Sequence, residues 1–324
     1  MWDFSMLGAF RAMLRTWPFI VLRIAVYFGI ALLYIVSTGA GGSVGYLITS
    51  ASDDVATGAA YGAFAGFAGA SGLLYWAREY VLYLVKAGHL SVLVNIYDGQ
   101  PVPGGREMIT EATAEVKERF TESSMLFGLD QLIKGSLRVI GGTLSTVASL
   151  LPIPYLGSLI AVVNRVIRMS LTFTDEVILA YLLREESNNS WHSARDGIVL
   201  YAQNYKHLLK NAVWLSLFTW MLSIALFVVL IAPAAMIVAL TPVESAVWPT
   251  LIALLLAWSC KQALLEPIAM YALLQVYFKV TEGQVPDQSM TQKLDKLSSG
   301  FRELGTKAEN MLTGSPKETL EVQS

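Results

Sequence analysis

The sequence predicts an all-helical, polytopic integral membrane protein with about six membrane segments, and three observations predict it. Apolar residues supply 54% of the 324 residues and charged residues 15%, apolar runs recur at roughly bilayer-crossing length, and Lys and Arg avoid every second loop. A mean hydropathy of +0.52 leaves too little charge to cover the surface of a soluble domain. The net charge of −2 decides nothing as a sum, whereas its distribution along the chain carries topological information.

The first run, Pro18 to Ser37, follows Arg11 and Arg15 as a signal peptide would. It holds Arg23, has about the ~20 residues needed to span, and lacks a clear small-residue cleavage site, so it reads as a retained helix. Val55 to Ala77, Asn211 to Ile231 and Trp248 to Tyr271 are the next clear runs. Two further arms, Gly135 to Leu151 and Tyr155 to Ile178, flank the apolar tip Leu151-Pro152-Ile153-Pro154-Tyr155. The six arms make three hairpins. The uncharged stretch Val139 to Asn164 is short for two crossings, and a re-entrant hairpin also fits it.

A more polar segment with apolar residues every three or four positions precedes each hairpin, which marks an amphipathic helix. The sets are Met6, Phe10, Met13 and Trp17; Ile109, Ala112, Val116 and Phe120; and Ile198, Tyr201, Tyr205 and Leu208. Met290, Leu294, Leu297, Phe301 and Leu304 repeat the rhythm after the last hairpin. The chain therefore divides into three repeats of surface helix plus hairpin at 1–100, 101–190 and 191–286, a C-terminal amphipathic helix at 287–305, and a disordered tail at 306–324. Asp98-Gly99-Gln100 and Glu282-Gly283-Gln284 are matching helix stops in the first and third units. Such surface helices lie among lipid headgroups or pack on their neighbours; Trp2, Trp17 and Trp191 favour the headgroup region.

The loops Thr38 to Asp54, Pro152 to Gly157 and Pro233 to Pro249 contain no Lys or Arg, whereas basic residues flank the opposite ends of the hairpins. The positive-inside rule then puts both termini and the amphipathic helices in the cytoplasm. The bias and the lack of disulfides suit a bacterial inner membrane. Cys260 is the only cysteine, so no intrachain disulfide forms, and it reads as a small packing residue.

Gly58, Gly62 and Gly66 leave one face of the second arm nearly smooth, which fits close packing against another arm or against a second copy in a homo-oligomer. Charges at membrane depth are the candidate functional residues, because an ionised group there must pair, snorkel or meet water. Arg23, Arg138, Arg165, Arg168 and Lys261 fall near mid-membrane, and Asp130, Asp175, Glu176 and Glu266 nearer the cytoplasmic end. Asp130, Lys134 and Arg138 form one stripe at four-residue steps, and Arg165 and Arg168 share a face of the opposing arm. Either these groups pair structurally, or Arg138, Arg165, Arg168, Lys261, Glu266, Asp175 and Glu176 line a partly hydrated crevice for a polar or anionic species.

His89, His192 and His207 have no metal-ligand spacing, and no phosphate loop, nucleophile elbow or zinc-protease helix is present. The sequence thus predicts neither an enzyme nor a metal or cofactor site. No basic face supports nucleic-acid binding, and the expected partner is the lipid bilayer.

The segments Leu200-Tyr-Ala-Gln-Asn-Tyr-Lys-His-Leu-Leu-Lys-Asn-Ala212 and Cys260-Lys-Gln-Ala-Leu-Leu-Glu-Pro-Ile-Ala-Met-Tyr271 resemble the C-terminal membrane region of choline transporter-like proteins. The resemblance covers under a third of the chain and implies transport of an organic cation or a lipid-linked solute. That family has about ten membrane segments against about six here, and no substrate-binding residue carries over. The residues point to a transport-type protein or, alternatively, to a non-transporting scaffold that shapes the membrane through its interfacial helices and a re-entrant hairpin.

Overall fold

In lipid a backbone must satisfy its own hydrogen bonds, so apolar runs of this length fold as helices. The computed structural model describes residues 2–51, 54–119, 125, 128–139, 173–185, 187–239 and 247–313, and helix is the only regular structure among the described residues. The order is α1 (Met6–Arg15), α2 (Trp17–Thr49), α3 (Val55–Tyr97), α4 (Gly105–Arg119), α5 (128–139), α6 (Thr174–Arg184), α7 (Ser190–Gln203), α8 (Tyr205–Ala239), α9 (Val247–Cys260), a π turn (Lys261–Leu265), α10 (Glu266–Thr281), α11 (Gln288–Leu297) and α12 (Ser299–Thr313). The middle hairpin tip, Arg165, Arg168 and the tail beyond Thr313 lie outside the described residues.

Three helical stretches among the described residues are long and apolar enough to cross a membrane: Trp17–Thr49, Tyr205–Ala239 and Val247–Thr281. The first half of α3 is not among them, because its glycines, with Thr57, Tyr61 and Ser71, make it less apolar. The helices also outrun the sequence limits. α2 continues to Thr49 and α8 passes through Pro233 to Ala239, so stretches expected as loops are helical turns that keep their backbone bonded. α3 runs 43 residues through Arg78 and Glu79 to Tyr97, about 65 Å at ~1.5 Å per residue. It stops where Gly99 takes φ +71°, and Gly283 does the same with φ +70° after α10.

α1 and α2 are separated only by Thr16 (φ −98°, ψ 26°), whose hydroxyl donates to the Ala12 carbonyl at 3.0 Å. α7 and α8 are separated only by Asn204 (φ −104°, ψ 12°), whose amide donates to the Leu200 carbonyl at 2.9 Å. Each side chain bonds four residues back and so competes with the helical ladder at the break.

α2 and α3 pair along their length, as do α8 and α9. Their outer parts carry exposed apolar side chains, among them Leu33, Ile48, Phe64, Val229, Met236 and Leu254. At the other end of these legs a buried core joins the last turns of α3 and α10 to α5, α6, α7 and the C-terminal helices. The surface helices pack in order around it: α4 on α3, α7 on α6, and α1 on α10.

This packing corrects the expectation of headgroup-embedded helices. Ile198, Tyr201 and Leu208 are buried in the core, as are Ala112, Val116, Leu294, Phe301 and Leu304. Their apolar faces serve protein packing because the legs extend past the bilayer-length runs and leave a core to be covered. α1 keeps an outward stripe, with Leu7, Phe10, Leu14 and the following Trp17 exposed.

Candidate functional site

A buried charge is tolerated only where others compensate it, so the charges inside this core must converge. α2 contributes Arg23 and Tyr27, one helical turn apart on one face and each only 1% exposed. α3 contributes Lys86, whose Nζ lies 3.1 Å from Glu176 Oε1 on α6 and 4.0 Å from Glu266 Oε2 on α10. Lys261 Nζ reaches Glu266 Oε1 at 2.7 Å. That pair depends on the π turn, which widens the helix so that residues five apart share a face. Pro267 lies two residues past its end and has no N–H to continue the α-helical ladder.

A second limb adjoins the first. Lys134 on α5 pairs with Asp130 at 2.6 Å and crosses to Asp175 at 3.6 Å, next to Glu176. Charged groups thus run from Asp130 through Lys134, Asp175, Glu176, Lys86 and Glu266 to Lys261, with opposite signs in contact everywhere except at the adjacent carboxylates Asp175 and Glu176.

The pairing is incomplete at the centre. Among the described residues, Arg23 Nε and Nη1, Tyr27 Oη, Asp175 Oδ1 and Glu176 Oε2 are buried without a hydrogen-bond partner. Arg23 is drawn electrostatically toward Glu266 and Glu176 but forms no ion pair with either. Donors and acceptors both stand open in one small region, and a species that accepts from the first and donates to the second, such as water, completes them.

Of the sequence candidates, Lys261, Glu266, Asp175 and Glu176 come together here. Arg138 does not: it is exposed on α5, one turn beyond Lys134, which corrects its place in the candidate crevice. Lys86 is not among the sequence candidates, because it lies beyond the apolar run Val55 to Ala77, where basic residues flank the hairpin. Its signal is a lone lysine inside the apolar helix Val81–Tyr97. Arg23 was noted as a membrane-depth charge without its partners, which come from helices distant in sequence.

The glycines form a different feature. A Cβ on Gly62 would collide with the Gly41 carbonyl, one on Gly66 with the Ser37 carbonyl, and one on Gly58 with the Thr49 side chain. The smooth face of α3 is therefore filled by α2 of the same chain.

His89 braces the α1–α2 break. Its Nε2 lies 3.0 Å from Thr16 Oγ1 and its ring stacks on Phe19 at 5.1 Å. The Thr16 hydroxyl is already donated to Ala12, so His89 Nε2 carries the proton and donates. The N-terminus is tied down separately, by Asp3 bonded to Lys210 at 2.6 Å and to Asn211 at 2.9 Å. Hydrogen bonding from Asn211, then from Lys210, holds the Asp3 carboxyl below its ordinary value.

Among the described residues no group of three or more His, Cys, Asp or Glu side chains is placed to hold a metal ion. No protein-family model, characterised protein or solved structure matches the chain.

Proposed function

We propose that this chain is a transport-type membrane protein that passes a small polar or ionic solute through the cluster formed by buried Arg23, Glu176 and Glu266 with the partly buried Lys86 and Lys261. One observation carries the proposal: a buried arginine and tyrosine stand unpartnered beside unpartnered carboxylate oxygens. A purely structural ion-pair knot gains nothing from open groups, each of which costs about 1–3 kcal/mol, whereas a site that exchanges water or solute needs them.

The architecture supports the same proposal. On the three-repeat reading each unit supplies charge to the centre: Arg23 and Lys86 come from the first, Asp175 and Glu176 from the second, and Lys261 and Glu266 from the third. The succession of α4 on α3, α7 on α6 and α1 on α10 is the contact order that a ring of three such units would give. Matching breaks at Thr16 and Asn204 fit two of those units. On this proposal the chain has about six membrane segments, both termini are cytoplasmic, the protein belongs in a bacterial inner membrane, and it is not an enzyme.

Reconstitution of the full chain into liposomes tests the proposal, with uptake measured across inorganic cations, inorganic anions, choline as an organic cation, and lipid. Uptake of at least one solute that falls with Glu266→Gln supports it. No uptake across the panel overturns it. The outward apolar stripe of α1 favours a second reading, a membrane-shaping scaffold; there, replacing Leu7, Phe10 and Leu14 by Ser removes function and Glu266→Gln leaves it intact.

A further inference from the structure

The open groups also discriminate among species. A metal cation needs several oxygen ligands with no competing positive charge, but the free carboxylate oxygens here face Arg23, Lys86 and Lys134. An anion would meet Glu176, Asp175 and Glu266. A proton has neither difficulty, because it neutralises a carboxylate without occupying space.

We propose that Glu176 is a proton-exchange site, entered by water held between its Oε2 and the Arg23 and Tyr27 donors. The proposal rests on the transport reading and names the species that drives it. Glu176 has one oxygen on Lys86 at 3.1 Å, while the other finds no donor among the described residues and lies against the Asp175 carboxyl. When hydronium delivers its proton to Oε2, an O–H bond forms on the carboxyl and water is released. Neutral Glu176 then holds Lys86 less strongly, and the ammonium moves toward Glu266 Oε2, now 4.0 Å away. Return of the proton to water on the other side reverses the step. Lys86 is thus shared between two carboxylates, and proton occupancy selects which one it favours.

The groups around Glu176 set its proton affinity. They are Lys86 and Tyr83 on α3, Arg23 and Tyr27 on α2, Asp130 and Lys134 on α5, Glu266 on α10, Lys261 on the π turn, and Asp175 beside it; on α7 the Tyr201 hydroxyl faces Thr174 at 3.3 Å.

The test uses the full chain in phosphatidylcholine vesicles loaded with potassium and a pH-sensitive dye, with valinomycin imposing an inside-negative potential and no solute added. The wild type acidifies the interior faster than protein-free vesicles, Glu176→Gln falls to the protein-free rate, and Glu176→Asp conducts with a displaced pH profile. A wild type no faster than protein-free vesicles overturns the inference, as does Glu176→Gln at the wild-type rate. If Glu176→Gln fails to fold, Glu176→Asp decides: an unchanged pH profile overturns it. Solute uptake at the same rate with and without an imposed proton gradient defeats the proton site and leaves transport standing. Proton movement with no solute uptake does the reverse.

Discussion

Lys86 is the residue on which the cluster turns, since it neutralises Glu176 directly and Glu266 at longer range. Removing Lys86 leaves the buried Glu176 charge uncompensated, and the lysine's 25% exposure puts the cost below the about 3–5 kcal/mol of a fully buried pair. Lys86→Met should therefore lower the thermal midpoint of the purified protein sharply, and adding Glu176→Gln should recover part of the loss; an unchanged midpoint would remove Lys86 from the centre. Asp3 provides a pH-dependent counterpart. Its depressed carboxyl stabilises the N-terminal clamp above the ordinary value of 3.8, and that contribution is lost as pH falls through the lower, folded-state value. Hydrogen exchange at residues 2–5 should rise in that acidic window, and Asp3→Asn should raise it at neutral pH. Sequence revealed Lys261, Glu266, Asp175 and Glu176 because each is a charge in an apolar run. It misplaced Arg138 because each four-residue step leaves the helix turned by about 40°, so the row from Asp130 has drifted about 80° by that position.

At the scale of elements, the α2–α3 hairpin is held by backbone contact along Ser37, Gly41 and Gly45 on one side and Gly58, Gly62 and Gly66 on the other. Gly62→Ala places a methyl against the Gly41 carbonyl and should cost about 1–3 kcal/mol by overpacking. Gly69→Ala, with nothing within 4 Å, should leave stability unchanged or slightly higher. Thermal melts of both variants in one detergent check the contrast, and equal melts would contradict the seam. Helix type was legible from apolar length, and the stops at Gly99 and Gly283 were legible from the turn residues. Helix extent was not: Arg78 and Glu79 look like an end, yet charge does not terminate a helix whose backbone remains bonded. The inward faces of α4, α7, α11 and α12 were equally hidden, because an apolar stripe fits a headgroup layer and a protein core alike.

For the whole molecule, apolar legs stand on a folded core, and the charges collect where the two meet. The sequence placed Arg23 and Lys261 near mid-membrane by counting inward from supposed loops, and the longer helices move those counts. The proposed site is therefore a hydrated junction beneath the legs. Its wetness is directly measurable with Tyr27→Cys in a Cys260→Ser background, treated in membranes with a small charged thiol reagent. The proposal predicts reaction at Tyr27→Cys well above that of Leu33→Cys, which lies on an exposed apolar face of α2. Equal inertness at the two positions would mean that the cluster is a dry structural knot, and would contradict a path for solute or protons through it.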